Sequence, residues 1–296
     1  MKRIWMILLA ALFLMMSACQ PFNIKIDNGI SLPTLSNSEN ASVSDDPAVQ
    51  PPESTGVEPA DAEPNPSNEI DSFAPRSVTV TIPEGYTSMQ IAKALEEKSV
   101  CSAAKFFQAA QSYKVKSFTI PYSQDRCFQL EGYLFPDTYE FFVEEDPVEV
   151  LRKMLNNYAD RSGMPSDQTL ILASILEKEA RSDENMKLVS SVFHNRLKIK
   201  MKLQADSTRE YVNTFITGNN LIASPSKYAA LYNTYKCAAL PAGPICNPGA
   251  RAIEAARNPE QTNFLFFFFG NDNQNHYSET LEEHEQQIEK YGVQFK

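Results

Sequence analysis

Hydrophobic and polar residues alternate at the start of the region predicted to fold, and then recur at helical spacing. Residues 77–82 (Ser-Val-Thr-Val-Thr-Ile) alternate with period two, which predicts a half-buried strand. A Pro-Glu-Gly-Tyr turn follows at 83–86, and helices are predicted over about 87–98 and 102–112. This order of strand, turn and helices indicates a small mixed unit ahead of a larger region.

The larger region is mainly helical. Three helices are predicted over about 147–158, 166–181 and 184–197. Within the second of them, residues 170–180 are so rich in Leu and Ile that the helix must be buried on most of its faces. The apolar run 263–269 is too short to span a membrane and predicts a buried strand. Together these elements indicate an α+β fold.

The N-terminus has the pattern of an export signal. Lys2 and Arg3 precede an apolar run of thirteen residues, shorter than the roughly 20 that a bilayer-spanning helix needs. Met16-Ser-Ala-Cys19 follows, so we expect lipidation at Cys19 and a location on the extracytoplasmic face of the cell membrane. An uncleaved anchor helix is the alternative. Incorporation of labelled palmitate, lost in Cys19→Ala, distinguishes the two.

Residues 20–75 are predicted to be a disordered linker. They hold nine of the nineteen prolines, ten acidic residues and one Lys, and cannot bury enough apolar surface to fold. The net charge of −10 is therefore concentrated there, and residues 76–296 are close to balance. We see no basic field that would favour nucleic acid as a partner.

Cysteine usage is consistent with export. Cys237 and Cys246 bracket a short loop and form the more probable local pair, which leaves Cys101 to pair with Cys127. Four cysteines allow three pairings, and spacing does not select one. Because no zinc-binding spacing is present, no metal or other cofactor is expected.

Two carboxylates near the end of the apolar helix are candidates for acid catalysis. Burial raises the pKa of a carboxyl, and a protonated carboxyl near neutral pH can act as a general acid. Glu177 and Glu179 both share helix faces with apolar residues, so periodicity does not choose between them.

The sequence resembles the endolytic murein transglycosylase family, also called the MltG or YceG-like family. Six blocks keep the family's order over roughly residues 78–291, and a segment from His276 to His284 follows them. The blocks are Leu-Glu-Gly-Tyr-Leu-Phe-Pro-Asp-Thr-Tyr at 130–139, Ser-Ile-Leu-Glu-Lys-Glu at 174–179, Val-Phe-His-Asn-Arg-Leu at 192–197, Leu-Gln-Ala-Asp-Ser-Thr at 203–208, Tyr-Asn-Thr-Tyr-Lys at 232–236, and Leu-Pro-Ala-Gly-Pro-Ile-Cys-Asn-Pro-Gly at 240–249.

The chain is thus divided into four parts. Composition predicts a signal peptide or anchor (1–19) and the linker (20–75), and a lipid anchor departs from the full transmembrane helix that is more usual in the family. The resemblance implies a LysM-like subdomain (76–128) and an α+β catalytic domain (129–296). The first Glu of the Ser-Ile-x-Glu-Lys-Glu pattern, Glu177, is implied as the catalytic residue. LysM modules bind glycan chains, but here the subdomain is as well explained by structural packing.

The resemblance also implies an activity, which is cleavage within nascent peptidoglycan glycan strands to give 1,6-anhydromuramoyl ends. Cell-wall synthases are the implied protein partners. A lytic transglycosylase needs only one catalytic carboxyl, whereas a hydrolytic muramidase usually needs two. Asp206 or Glu131 could supply the second, so a muramidase is one alternative, and a non-catalytic glycan-binding or scaffold protein is another.

Several residues are candidates for holding sugar hydroxyl and acetamido groups. The motif positions also fit buried hydrogen bonding, and the aromatic cluster of Tyr133, Phe135 and Tyr139 is either a stacking wall or part of the core. The loop at 239–245 departs from the family pattern, since Ala239 and Ala242 replace Gly and Pro. The predicted substrate-binding residues are Glu131, Tyr133, Arg196, Gln204, Asp206, Asn233, Tyr235 and His276.

Overall fold

The structure is a computed structural model that describes residues 76–293 except 220, 221, 223 and 238. All of these lie in one compact unit. The predicted anchor with its lipidation site Cys19, and the predicted linker, lie outside the described residues.

The first strand, β1 (Ser77–Thr81), pairs antiparallel with β2 (Thr138–Phe142). Between them the chain forms α1 (Ser88–Glu97) and α2 (Ala103–Ser112), as the sequence predicted. Thr87 begins α1 with a capping box, since its hydroxyl accepts from the N–H of Gln90. The two-stranded sheet joins segments on either side of the predicted subdomain boundary at 128. The LysM-like assignment stays a prediction, while the mixed helix and strand content confirms the α+β class.

The second region is built around helix α4, whose residues 170–176 are all buried. The remaining elements surround it or follow it. They are α3 (Pro147–Arg161), α4 (Asp167–Glu179), α5 (Asp183–Lys198), α6 (Asp206–Tyr211), a π-helical turn (Val212–Ile216), α7 (Pro225–Tyr232), α8 (Ala250–Arg257), β3 (Phe266–Phe269), β4 (Asn275–Ser278) and α9 (Leu281–Tyr291).

Hydrogen bonds of two serines fix helix α4, one at its start and one within the apolar run. Ser166 caps its first turn by accepting from the N–H of Thr169 at 3.2 Å. The buried hydroxyl of Ser174 donates to the carbonyl of Ile171 at 2.7 Å and accepts from the N–H of Ile245 at 3.0 Å. Ser174, the polar residue within the apolar run, thus binds the loop that precedes α8. Burial of each Leu or Ile around it stabilises the folded state by roughly 1.5–3 kcal/mol.

The apolar run at 263–269 forms a strand, but a less buried one than predicted. Only residues 266–269 form β3, and Phe268 is the one of these four that is fully buried. The strand pairs with β4 in a hairpin, and among the described residues the sheet has no third strand. Phe267 packs edge-on against Phe193 of α5, and Phe266 stacks on His284 of α9. A two-stranded hairpin between two helices leaves its edges partly exposed, which the apolar composition alone does not reveal.

The predicted disulfides are wrong in this structure. The thiol of Cys246 is fully buried against α4, where it donates to the carbonyl of Ser174 at 3.2 Å. The thiol of Cys237 instead lies 3.6 Å from the carbonyl of Ala239. Sequence proximity suggested a pair, but the two side chains have different environments. The free cysteines are Cys101, Cys127, Cys237 and Cys246.

Within the described part of the chain, every helix is too short or too polar to cross a bilayer.

One glycine fixes how the loop before α8 lies against the rest of the protein. Gly132 has a φ of +90°, and a Cβ added there would lie 2.6 Å from Cγ of Pro244 and 3.3 Å from Leu170. Gly218 has a similar φ of +77°, but a Cβ there would meet nothing within 4 Å. A side chain would therefore be strained at both positions, but only at Gly132 would it also collide with neighbouring atoms.

We expect Gly132→Ala to lower the free energy of unfolding by about 1–3 kcal/mol more than Gly218→Ala does. The reason is that the methyl group added at residue 132 overpacks the core, whereas the one added at residue 218 meets no neighbour. Both variants add the strain of a left-handed backbone, about 1–2 kcal/mol. Urea unfolding of the two variants beside the wild type measures the difference. Equal losses would show that the contact of Gly132 with Pro244 is not tight.

Candidate functional site

Glu177 lies in the last turn of α4, and its side chain is half-buried. Its Oε2 accepts a hydrogen bond from the N–H of Gly249 at 3.0 Å. Gly249 is the N-cap residue of α8, which has no side-chain cap. The carboxylate of Glu177 therefore faces the N-terminus of a second helix, where the helix dipole and an N–H donor both stabilise negative charge.

The pKa of Glu177 is raised, because burial disfavours the charged carboxylate. The N–H of Gly249 opposes this shift, the nearby carboxylate of Glu84 adds to it, and Arg251 and Lys178 oppose it. Burial prevails, so Glu177 keeps its proton to a higher pH than an exposed Glu does. A half-exposed carboxyl in this state can donate a proton to a bound molecule and then hold the resulting charge.

A turn from the first region lies over Glu177. A Cβ on Gly85 would lie 3.4 Å from Cγ of Glu177, and a Cβ on Gly249 would lie 1.8 Å from Oε1 of Glu84. Arg251 donates to Glu84 at 3.1 Å and to Asp183 at 3.0 Å. The sequence does not mark Glu84 or Arg251 as site residues. Glu84 is visible only as part of the turn at 83–86, Arg251 lies outside the family blocks, and an exposed ion pair between distant residues has no local signature.

Glu179 has a different role from Glu177. Its Oε1 accepts from the N–H of Ser207 at 3.1 Å, in the first turn of α6. The N-cap residue of α6 is Ala205, which has no side-chain acceptor, so Glu179 satisfies this N–H from another helix. The geometry thus separates two glutamates that helical periodicity left equivalent.

Glu131 lies in the interior, 1% exposed, and accepts hydrogen bonds from three elements. The N–H and hydroxyl of Ser88 donate at 2.9 and 3.1 Å, Nδ2 of Asn247 at 3.0 Å, and the hydroxyl of Tyr211 at 3.3 Å. Burial raises the pKa of Glu131 to about 7, although each of these donors lowers it. Glu131 therefore links α1, α6 and the loop before α8 by hydrogen bonds in the interior of the protein.

Two other predicted binding residues are also buried. Arg196 donates to the carbonyls of Leu265 and Leu203, both at 2.6 Å. Tyr133 donates to Asp167 at 2.7 Å. The ring of Tyr133 contacts that of Tyr158, and Phe135 and Tyr139 are buried as well. The aromatic cluster is therefore part of the core in this structure.

Four of the predicted residues come together at an accessible surface beside the end of α4. Tyr235 donates to Oδ1 of Asp206 at 2.8 Å, and Oδ1 of Asn233 accepts from the N–H of Tyr235 at 2.9 Å. Gln204 is exposed next to them in a left-handed conformation. The hydrogen bond from Ser207 to Glu179 holds this surface to the helix that carries Glu177.

Buried threonines fix that surface from below. The hydroxyls of Thr208 and Thr234 lie 2.9 Å apart, and Oγ1 of Thr234 accepts from the N–H of Ala205 at 2.9 Å. Both threonines are fully buried. They join the loop before α6 to the turn after α7, so the exposed polar residues have a rigid base.

His276 lies elsewhere, in the β3–β4 hairpin. It contacts the carboxylate of Asp272 at 3.0 Å and stacks between Phe268 and Tyr291. Among the described residues no group of three or more His, Cys, Asp or Glu side chains is arranged to hold a metal ion.

Two surface hollows lie away from Glu177. A hollow of about 570 Å³ lies between α2 and α3, lined by residues such as Lys114, Lys116 and Arg152. Another of about 490 Å³ lies at the start of α5, beside Asp183 and Glu260. Neither includes Glu177, so the candidate site is identified by the position of that carboxyl at the end of α4 and by the direction of its pKa shift, not by the size of a hollow.

Fold and site together define a class of α+β protein that presents one half-buried carboxyl at the end of a buried helix. The chain belongs to the YceG-like family, whose profile matches residues 64–290. A crystal structure of a YceG-like protein from Listeria monocytogenes superposes with a TM-score of 0.59 at 30% identity, over 71% of this chain and 75% of that one.

Two curated relatives carry the same name. The endolytic murein transglycosylase of Bacillus subtilis (strain 168) is 30% identical over 233 residues, which are 72% of this chain and 64% of that protein. The protein of the same name from Streptococcus pneumoniae D39 is 28% identical over 249 residues, 73% of this chain and 45% of the relative. The matched part of the chain thus spans 64% and 45% of the lengths of these relatives.

We expect Glu131 to make stability depend on pH. Between about 4.5 and about 7 the folded protein keeps a proton that the unfolded chain releases, so the free energy of unfolding falls as pH rises. The fall from this group is on the order of 3 kcal/mol. Glu131→Gln keeps an acceptor for Ser88 and cannot ionise, so its contribution is constant.

Urea unfolding of the wild type and Glu131→Gln at several pH values from 4 to 8 tests this. The difference between the two proteins should change steadily over that range in favour of the variant. Parallel pH profiles would mean that Glu131 has an ordinary pKa in the folded protein.

Proposed function

We propose that this chain is an endolytic lytic transglycosylase that cleaves glycosidic bonds within peptidoglycan glycan strands. The observation that carries the proposal is the half-buried carboxyl of Glu177, bonded to the N–H of Gly249 at the end of α4. The similarity to proteins named endolytic murein transglycosylase supports the substrate class.

In the proposed reaction, protonated Glu177 donates its proton to the glycosidic oxygen, and the bond from C1 of muramic acid to that oxygen breaks. The carboxylate that remains accepts the hydrogen bond of Gly249, which stabilises the new charge. It then removes the proton from the C6 hydroxyl of the same sugar, whose oxygen forms a bond to C1. Glu177 regains its proton, a 1,6-anhydromuramoyl end forms, and no water is consumed.

The exposed residues beside α4 are proposed to hold the glycan. Asp206, Tyr235, Asn233 and Gln204 offer donors and acceptors for hydroxyl and acetamido groups at one surface. Rings such as that of Tyr235, 37% exposed, also suit stacking against a sugar. The buried predicted residues, Glu131, Tyr133 and Arg196, are proposed to support this surface from the interior, and His276, in the β3–β4 hairpin, to contact the glycan strand further along.

Cellular context forms a further part of the proposal. Lipidation at Cys19 and the linker would hold the enzyme on the extracytoplasmic face of the membrane, where nascent strands are made. Cleavage there would limit glycan length, and cell-wall synthases are the expected partners. The LysM-like part, 76–128, is proposed to contact the strand or to cover the catalytic helix.

A hydrolytic muramidase is the second candidate, because Glu84 places a second carboxylate near Glu177. Glu84 lies in an ion pair with Arg251, however, Asp206 is paired with Arg209 and accepts from Tyr235, and Glu131 is sealed from solvent. A carboxylate that activates water needs access to that water. These contacts favour the intramolecular C6 hydroxyl as nucleophile.

We expect Glu177→Gln to lower the rate of glycan cleavage at least 10²- to 10⁴-fold, because an amide cannot supply the proton. Its carbonyl still accepts from Gly249, so the fold should be unchanged. Glu179→Gln is the matched control, since its amide oxygen still accepts from Ser207 and activity should remain. Digestion of a purified lipid-linked glycan polymer measures the rates, and near wild-type cleavage by Glu177→Gln would exclude the assignment.

The products distinguish the two enzyme classes and a protein that only binds. Since the C6 hydroxyl is held in the same molecule as C1, it has a large effective concentration relative to water. We expect internal cleavage with 1,6-anhydromuramic ends, about 18 Da lighter than the hydrolytic ends by one molecule of water. Mass spectrometry of the digest detects them. Reducing ends would identify a muramidase, and an uncut polymer a binding protein.

A further inference from the structure

Two carboxylates meet at one glycine beside the candidate site. The N–H of Gly249 donates to Oε2 of Glu177 at 3.0 Å. The Cα of the same residue lies against Glu84, since a Cβ there would fall 1.8 Å from Oε1 and 2.7 Å from Cγ of that side chain. Only the absence of a side chain at residue 249 allows Glu84 to occupy this position beside Glu177.

The position of Glu84 is fixed on both sides. Its Oε2 accepts from Arg251 of α8 at 3.1 Å. The residues after it are bound to the loop that ends at Gly249: the N–H of Gly85 donates to the carbonyl of Asn247 at 2.9 Å, and the N–H of Asn247 donates to that of Tyr86 at 2.8 Å. Asn247 is fully buried, so this surface turn is anchored to the interior by two main-chain hydrogen bonds.

We propose that Glu84 is a positioning residue for the reaction proposed above: by placing a second negative charge next to Glu177, it adds to the effect of burial in holding the proton on that carboxyl before the glycan binds. A neighbouring carboxylate disfavours ionisation, because two like charges repel at short range. The effect of Glu84 on catalysis rests on the proposed function. Its effect on the pKa of Glu177 does not, and can be measured without any substrate.

Other groups around Glu177 also change its pKa, in both directions. Lys178 on the same helix and Arg251 on α8 are positive and lower the pKa of Glu177, as the N–H of Gly249 does. The buried thiol of Cys246 lies close by, with its own pKa raised by burial. Burial and the charge of Glu84 act in the opposite direction. Arg251 is shared between Glu84 and Asp183, so its charge does not face Glu177 alone.

Glu84→Gln tests the inference, since it keeps the size of the side chain and an acceptor for Arg251 but removes the charge. The pKa of Glu177 is measured by NMR in protein carrying 13C-labelled glutamate carboxyls, with its signal assigned by its loss in Glu177→Gln. We expect the pKa of Glu177 to fall by about half a unit or more in Glu84→Gln. Asp183→Asn is the matched control, because it removes the other partner of Arg251, and it should leave that pKa unchanged.

An unchanged pKa in Glu84→Gln, or an equal shift in Asp183→Asn, would overturn the inference. Because Glu84 is partly exposed, the variant should unfold at the same temperature as the wild type, which a thermal melt checks. Lys178→Gln provides a shift of the opposite sign, since it removes a positive charge, and a fall in that variant would also overturn it.

Catalysis gives a second measurement that separates this inference from the proposed function. If protonated Glu177 is the acid, the rate falls as pH rises through its pKa, and Glu84→Gln should move this fall to lower pH by the same amount as the NMR shift. An NMR shift in a protein that cuts no glycan would support the role of Glu84 and refute the enzyme. Full activity with an unmoved pH profile would support the enzyme and refute the role of Glu84.

Discussion

The hydrogen bond between the N–H of Gly249 and the carboxyl of Glu177 is the contact on which the candidate site depends. It joins the end of one buried helix to the start of another, and neither partner is free to move. Residues 170–176 hold α4 in the core, while the hydroxyl of Ser174 binds the loop before α8. A donor placed in this way needs no rearrangement when charge develops on the carboxyl, which is the basis of electrostatic preorganisation.

The loop before α8 is where the first and second regions of the fold meet. Asn247 donates through Nδ2 to the carbonyl of Tyr86 and to Glu131, and its Oδ1 accepts from the N–H of Leu134. One buried amide thus satisfies three polar groups from two segments, at residue 86 and at residues 131–134, that are far from it in sequence. A substitution at Asn247 leaves several of these groups unpaired at once, each at a cost of about 1–3 kcal/mol. The site and the junction of the two regions are therefore stabilised by the same residues.

The sequence predicted the elements better than the contacts between them. The helices α1 to α5 follow from periodicity and caps, because those signals are local, and Ser166 begins α4 as expected. The exposed group of Asp206, Asn233 and Tyr235 lies in two motifs that the family resemblance had already marked. Glu84 could not be found in this way, since its role depends on a contact with a glycine 165 positions later in the chain. The disulfide prediction was wrong for a related reason. The spacing of the cysteines along the chain does not show which side of a loop each thiol faces.

Burial explains both of the raised glutamate pKa values, but it allows only one of these residues to act on a ligand. Glu131 is sealed, and each of its four hydrogen bonds comes from a donor within the protein. Glu177 is half-exposed and accepts a main-chain N–H. Desolvation alone would therefore select the wrong residue, since it is more complete at Glu131. What distinguishes Glu177 is a raised pKa combined with a side chain that solvent can reach. The end of α4 provides both, because the helix leaves the core there. The turn at Glu84 and the start of α8 lie beside Glu177 at that point.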